Sequence, residues 1–206
     1  MSGAAKVFGI GLSRTGTTSL TRALEHLGYK TVHYPHDPVT LAELSGGVFR
    51  LSVLDAFDAV TDITVAPYYP QLDSAYPGSK FVLTVRNIEQ WLVSMAEHFD
   101  RLGPHLQQHP EMRPFTDFIC AAVYGTQAFD RERMKWVYET HVQNVRSFFR
   151  GRPDNLLEVD ICSGSGWAEL CSFLGRPMPD MTFPFLNRGK NDRPGDNKMQ
   201  GQRGGE

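Results

Sequence analysis

The stretch KVFGIGLSRTGTTSLTRALEHLG, residues 6–28, decides the fold. Lys6 to Gly11 is short and apolar, the pattern of a fully buried strand. Leu20, Leu24 and Leu27 then recur at helical spacing, and Gly28 stands where a left-handed C-terminal cap belongs. Between strand and helix lies Leu12-Ser13-Arg14-Thr15-Gly16. Strand, glycine loop and helix in this order make an anion site. Backbone N–H groups of the loop and first turn converge there, and the helix dipole adds partial positive charge. Gly11 and Gly16 permit the tight backbone, and Thr17 and Thr18 offer hydroxyls to an anion.

Outward from this unit the chain alternates. Tyr29 to His33 reads as a second strand, with Pro35 and Pro38 in the loop after it and a brief helix over Pro38 to Leu44. Asp58 to Ile63 is a strand, Pro67 to Tyr76 a helix, and Pro77-Gly78 a turn. Lys80 to Val85 is the clearest buried strand, followed by a helix over Ile88 to Phe99. Pro104, Pro110 and Pro114 punctuate a less regular stretch, and Asp130 caps a long helix with Met134, Val137, Tyr138, His141 and Val145 on one face. Asn155 to Asp160 is the last strand, and Trp167 to Leu174 a helix stopped by Gly175. The alternation predicts one α/β domain over residues 1–186, with a mostly parallel central sheet, helices on both faces and a small helical cap at about 98–130. From Asn187 the composition turns to Gly, Asn, Asp, Lys and Arg, so residues 187–206 are expected to be flexible or ordered by a ligand.

Composition agrees with a single soluble domain. The 206 residues are 41% hydrophobic and 21% charged, which excludes collagen, coiled coil and wholesale disorder. A net charge of −2 gives no global positive field for nucleic acid. The cations are 15 arginines and 6 lysines, and arginine's planar fork suits phosphate or sulfate. Cys120, Cys162 and Cys171 are odd in number and lack Cys-x-x-Cys spacing, so they are read as reduced core residues. The apolar run from Val7 to Leu12 is far shorter than the roughly 20 residues of a spanning helix. The expectation is a cytoplasmic protein without an integral membrane segment.

The loop is neither of two familiar nucleotide motifs. A dinucleotide fingerprint would place glycine where Arg14 stands and an acidic residue where His33 ends the second strand. A Walker A loop would place lysine where Thr17 stands, leaving an ATP-dependent kinase with a degenerate loop as an alternative. The string Ser13-Arg14-Thr15-Gly16-Thr17-Thr18-Ser19-Leu20 instead resembles the 5′-phosphosulfate loop of sulfotransferases that use 3′-phosphoadenosine-5′-phosphosulfate (PAPS). Arg14 takes the place of the family's lysine, and Ser19 that of a tryptophan that commonly stacks on adenine. Val82 to Asn87 followed by Ser94 is similar to the same family's 3′-phosphate motif, a strand ending in Arg-Asn with serine eight residues on. Arg188-Gly189 followed by Gly195-Asp196-Asn197-Lys198 resembles, more loosely, the family's late loop over the 3′-phosphate.

The resemblance implies a three-layer P-loop-type fold and transfer of a sulfuryl group from PAPS to a hydroxyl or amine, releasing PAP. The partner is a small-molecule, sugar or lipid acceptor, with no metal and no nucleic acid. Ser13, Arg14, Thr15, Gly16, Thr17 and Thr18 would bind the 5′-phosphosulfate, and Arg86, Ser94, Arg188 and Gly189 the 3′-phosphate. Arg14 would also stabilise charge on the leaving phosphate. For the general base the family uses His or Glu, and Asp62 stands in that place, with His33 at the end of the second strand as the second candidate. An inactive nucleotide-binding module is the alternative from another class.

Overall fold

The computed structural model describes residues 5–186. Five strands, β1 (Val7–Gly9), β2 (Thr31–His33), β3 (Ala59–Thr61), β4 (Lys80–Thr84) and β5 (Leu156–Val159), form one sheet in the order β2-β3-β1-β4-β5. Every pairing is parallel, with Phe8 opposite Val60 on one side and Phe81 on the other. Eight helices connect and cover them: α1 (Thr17–His26), α2 (Pro38–Ser45), α3 (Val53–Ala56), α4 (Tyr69–Ala75), α5 (Ile88–Gln108), α6 (Arg113–Val123), α7 (Arg131–Phe148) and α8 (Trp167–Leu174).

Strand alternation sorts the core into two layers. Phe8, Val60, Phe81 and Leu83 face one side and pack with Leu72, Trp91, Met95, Ile119 and Val145. Val7, Ala59 and Val82 face the other and meet Leu20, Leu24, Trp167 and Leu170 of α1 and α8. The result is the three-layer α/β sandwich that the pattern implied. Because β1 lies between β3 and β4, the chain crosses from one half of the sheet to the other at its carboxyl end, where open α/β sheets hold ligands.

Local signals account for most boundaries. Asp37 caps α2 by accepting from the amides of Val39 and Thr40, and Asp130 caps α7 by accepting from Arg133. Gly28 and Gly175 adopt the left-handed conformation just past α1 and α8. The proline-rich stretch departs from expectation. α5 runs nine residues past Phe99 to Gln108 with Pro104 inside it, and Leu106 returns to the interior beyond that proline. Pro114 falls in the first turn of α6, where the missing N–H has no intrahelical partner to lose. Among the cysteines Cys120 and Cys171 are buried, whereas Cys162 is exposed, correcting the expectation of three core residues. It follows β5 in a single 3-10 turn, Ile161–Ser163, which buries only Ile161.

Helix α7 is tied to the sheet by two polar side chains one turn apart. The Tyr138 hydroxyl donates to the Arg86 carbonyl at 2.6 Å and accepts from the Arg86 amide at 2.8 Å. His141 Nε2 lies 2.8 Å from the Ile10 carbonyl and donates to it, so the histidine is satisfied within the core. Burial holds the His141 pKa below the ordinary imidazole range, and the Ile10 bond opposes this. Protonation therefore favours the unfolded chain. The contribution is complete above the unfolded value of about 6.5 and is lost as pH falls toward the folded one. The urea midpoint should fall between pH 7 and pH 5. His141→Gln, which keeps an N–H for Ile10, should make that slope shallower, and an unchanged slope would contradict the assignment.

Candidate functional site

The carboxyl ends of β1, β2, β3 and β4 open into a cavity of about 450 Å³. Its floor is the loop between β1 and α1. Gly11 is required there, because a Cβ would lie 1.9 Å from Thr84 Oγ1 and 2.7 Å from the Thr84 carbonyl oxygen. Gly16 takes φ +99 as the residue before α1 and offers no side-chain cap. The first intrahelical bond runs from the Leu20 amide to the Gly16 carbonyl. The amides of Thr17, Thr18 and Ser19 precede it without intrahelical partners, and all three residues line the cavity, an arrangement able to seat an anion on backbone N–H groups.

Asp62, at the end of β3 and 6% exposed, organises the hydroxyls around this seat. Its Oδ1 accepts from Ser13 Oγ at 2.7 Å and from the Ile63 amide at 2.6 Å. Its Oδ2 accepts from Thr17 Oγ1 at 2.8 Å and lies 3.3 Å from His33 Nε2. The other His33 nitrogen, Nδ1, is 3.1 Å from Thr61 Oγ1 and 3.4 Å from Thr21 Oγ1. Thr18 Oγ1 is 3.4 Å from His33 Nε2. Ser13 and Thr17 thus direct their protons to Asp62, and both His33 nitrogens have neighbours within the fold.

Two guanidinium groups reach the same cavity. Arg14, in the loop, is half-buried with φ 71, and its Nε donates to Ser94 Oγ at 3.0 Å. Arg86, just beyond β4, donates from one terminal nitrogen to the Arg14 carbonyl at 3.3 Å. Burial, and then the neighbouring charges of Arg101 and Arg86, lower the Arg14 pKa. The loop is braced from α5 by Trp91, whose Nε1 donates to the Ser13 carbonyl at 2.9 Å.

Of the residues singled out from sequence, Ser13, Arg14, Gly16, Thr17, Thr18, His33, Asp62 and Arg86 line the cavity. Ser94 stands behind Arg14 rather than in the wall. Thr15 turns away: it is fully buried, donates to the Leu12 carbonyl at 2.7 Å and pairs with Thr84 Oγ1 at 2.6 Å, so its side chain braces the loop instead of facing a ligand. Arg188 and Gly189 lie outside the described residues. Among the aromatics between α5 and α7, Tyr124 lines the cavity, while Phe99, Phe118 and Phe129 pack against the core.

Sequence reasoning missed two features and left a third unselected. Leu186 donates its amide to Ser19 Oγ at 2.9 Å, which brings Phe185 and Leu186 to the cavity wall from far along the chain. His98, one turn after Ser94 on α5, enters the cavity with His105; as cap histidines both could meet an acceptor, but no spacing in the sequence selects either. Arg14, Tyr34 and Asp62, the non-glycine residues with positive φ among those described, all line this one cavity. Such strain costs about 1–3 kcal/mol per residue and clusters at functional sites.

Asp62→Asn should show the weight of the carboxylate. One asparagine oxygen cannot satisfy Ser13, Thr17, Ile63 and His33 together, and an unsatisfied buried donor costs about 1–3 kcal/mol. Urea unfolding at pH 7 should register a loss of that size, and an unchanged midpoint would mean that the four contacts are incidental.

Among the described residues there is no group of three or more His, Cys, Asp or Glu placed to hold a metal ion, and no helix is long and apolar enough to cross a membrane. Ava biosynthesis cluster protein M of Aspergillus versicolor is similar to this chain, 27% identical over 210 residues that cover 88% of this chain and 80% of that protein. Residues 6–191, from the first strand to beyond the last described residue, match the family described as sulfotransferase domain, and with its parallel sheet and phosphate-type loop the chain belongs to that family.

Proposed function

We propose that this sulfotransferase takes its sulfuryl group from PAPS and passes it to a hydroxyl or amine of a small-molecule acceptor, releasing PAP. The observation that carries the reading is the convergence of Arg14, Arg86 and the amino end of α1 on one cavity. Arginine stays protonated in proteins, and the mutual repulsion felt at Arg14 is relieved by a polyanion. A nucleotide with anionic groups at both 3′ and 5′ positions meets that need better than ADP does.

The residues fit the donor. The amides of Thr17, Thr18 and Ser19 with Arg14 would hold the 5′-phosphosulfate, while Ser13 and Thr17 keep the loop shaped through Asp62. Arg86 would hold the 3′-phosphate from the neighbouring strand end. Ser94 accepts from Arg14 and would hold its guanidinium in place from behind. Phe185, brought to the wall by the Leu186–Ser19 bond, would supply the flat apolar surface for adenine that Ser19 itself lacks. Sulfuryl transfer, like phosphoryl transfer, asks the protein chiefly to position reactants and to stabilise charge on the leaving phosphate. Arg14 and the helix amides do the second. The name of the Aspergillus relative ties that protein to a biosynthesis cluster, which suits a small-molecule acceptor.

Calorimetric titrations with PAP, with ADP and with ATP plus Mg²⁺ test the donor. PAP should bind more tightly than ADP. Arg86→Ala should weaken PAP about 10–100-fold, the worth of a charge-assisted hydrogen bond, with ADP nearly unchanged. Equal losses for both nucleotides would remove the 3′-phosphate role. Binding of ATP with Mg²⁺ alone would give the kinase alternative.

A further inference from the structure

The cavity lining has two chemistries. Its charged groups, Arg14, Arg86 and Asp62, come from the loop and the strand ends. The wall facing them holds Tyr34 from beyond β2, Leu102 from α5, Met112 from the turn before α6, and Cys120 and Tyr124 from α6 and its end. Burial pushes the Cys120 thiol up to about 11 and raises the Tyr34 and Tyr124 hydroxyls further, so all three are neutral near pH 7. Three histidines, His36, His98 and His105, also line the cavity. Among Tyr34, Leu102, Met112, Cys120 and Tyr124 a charged acceptor would shed its water and meet no fixed charge, which is costly.

The acceptor's proton needs a taker. Asp62 already accepts from Ser13, Thr17 and Ile63 and faces His33, and His33 has neighbours at both nitrogens. His98 differs. It follows Ser94, the partner of Arg14, by one turn on the same face of α5, so its ring stands in the cavity next to the loop. Among the described residues no hydrogen bond occupies its ring nitrogens; its neighbour is the Phe99 ring, 5.9 Å away. Tyr124, 1% exposed, brings its hydroxyl beside Ser13 without a well-formed hydrogen bond, a group able to orient an incoming oxygen.

We infer that the chamber between α5 and α6 takes an uncharged, largely apolar alcohol or phenol, and that His98 accepts its proton during transfer from PAPS. This rests on the donor reading above. The acceptor oxygen forms a bond to sulfur while the bond from sulfur to the bridging phosphate oxygen breaks, its electron pair leaving with the phosphate. The hydroxyl proton passes to a neutral His98 nitrogen and from there to water. Burial, then Arg14 and Arg101, lower the His98 pKa, and Asp62 opposes them. The other titratable groups lining the cavity are Arg86, His33, His36, His105, Tyr34, Cys120, Tyr124 and Cys162. His98 is therefore neutral at pH 7, and the acid limb of the rate profile should lie below the ordinary imidazole value of about 6.5.

The test uses the full chain with PAPS and three acceptors: 2-naphthol, 6-hydroxy-2-naphthoate and glucose. The expected kcat/KM for 2-naphthol exceeds the other two by at least about tenfold, the ratio set by placing one unpaired charge or several unpaired hydroxyls in an apolar site. His98→Gln should lower kcat about 10²–10⁴-fold, the usual share of a general base, and abolish the acid limb. PAP affinity by calorimetry should stay within about twofold, and the thermal midpoint should stay close to that of the parent, since among the described residues no hydrogen bond ties His98 to the core or the loop. Added imidazole should restore part of the activity of His98→Ala, which a purely structural role would not allow. Faster turnover of the naphthoate or of glucose, no binding of 2-naphthol to the PAP complex, or an unchanged pH profile in His98→Gln would each overturn the inference while leaving the donor reading intact. Failure of the parent protein to bind PAP would overturn both.

Discussion

One buried carboxylate holds together the parts of this site that come from different places in the chain. Asp62 collects Ser13 from the loop, Thr17 from the start of α1, His33 from the end of β2 and the amide of Ile63. A buried carboxylate is tolerable only when its lone pairs are satisfied, so the three donors, the neighbouring imidazole and the charge depend on one another. The consequence for binding is specific. Because Ser13 and Thr17 turn their protons to Asp62, an anion at the loop is left to the backbone amides and to Arg14. The positive φ of Asp62 and of Arg14 is local strain that these contacts stabilise.

A second set of contacts fixes the sheet edge on which this node rests. Tyr138 binds both backbone groups of Arg86, and His141 binds the Ile10 carbonyl, so a single turn of α7 secures the ends of β4 and β1. Trp91 secures the loop between them from α5. These three side chains satisfy backbone groups where the strands stop pairing, and such groups are costly if buried without partners. The aromatic pair Trp91 and Tyr138, with ring centroids 4.7 Å apart, joins the two helices.

The strands, the three layers and the phosphate-type loop were legible in the sequence because period-2 and period-3.6 patterns, glycines and caps are local signals. Gly28, Asp130 and Gly175 each mark a boundary that the structure places there. The continuation of α5 through Pro104 was not legible, since the burial of Leu106 that favours it is a tertiary fact. Nor could the sequence separate Thr15 from Thr17. Adjacent positions of a loop point to opposite sides, and only the fold shows that Thr15 meets Thr84 while Thr17 meets Asp62. Asp62 and His33 were found as ionisable groups at the correct sheet edge. That they are neighbours at 3.3 Å, each engaged by the other, follows from the parallel register of His33 with Thr61, which no local pattern encodes.

Helix α5 gives the loop and the wall that faces it a common ruler. Trp91 anchors it to the loop carbonyl, Ser94 anchors it to Arg14, and His98 and Leu102 follow at successive turns along one face. At 1.5 Å per residue, His98 lies about 6 Å and Leu102 about 12 Å along the axis from Ser94. On the proposed assignment, the distance from the group beside the donor to the groups that meet the acceptor is therefore set inside one helix. In-line transfer depends on such spacing, since reacting atoms misplaced by about 1 Å lose about 10²-fold in rate. Pro104 follows this stretch, so Trp91, Ser94, His98 and Leu102 all precede the residue whose missing N–H interrupts the hydrogen-bond ladder of α5.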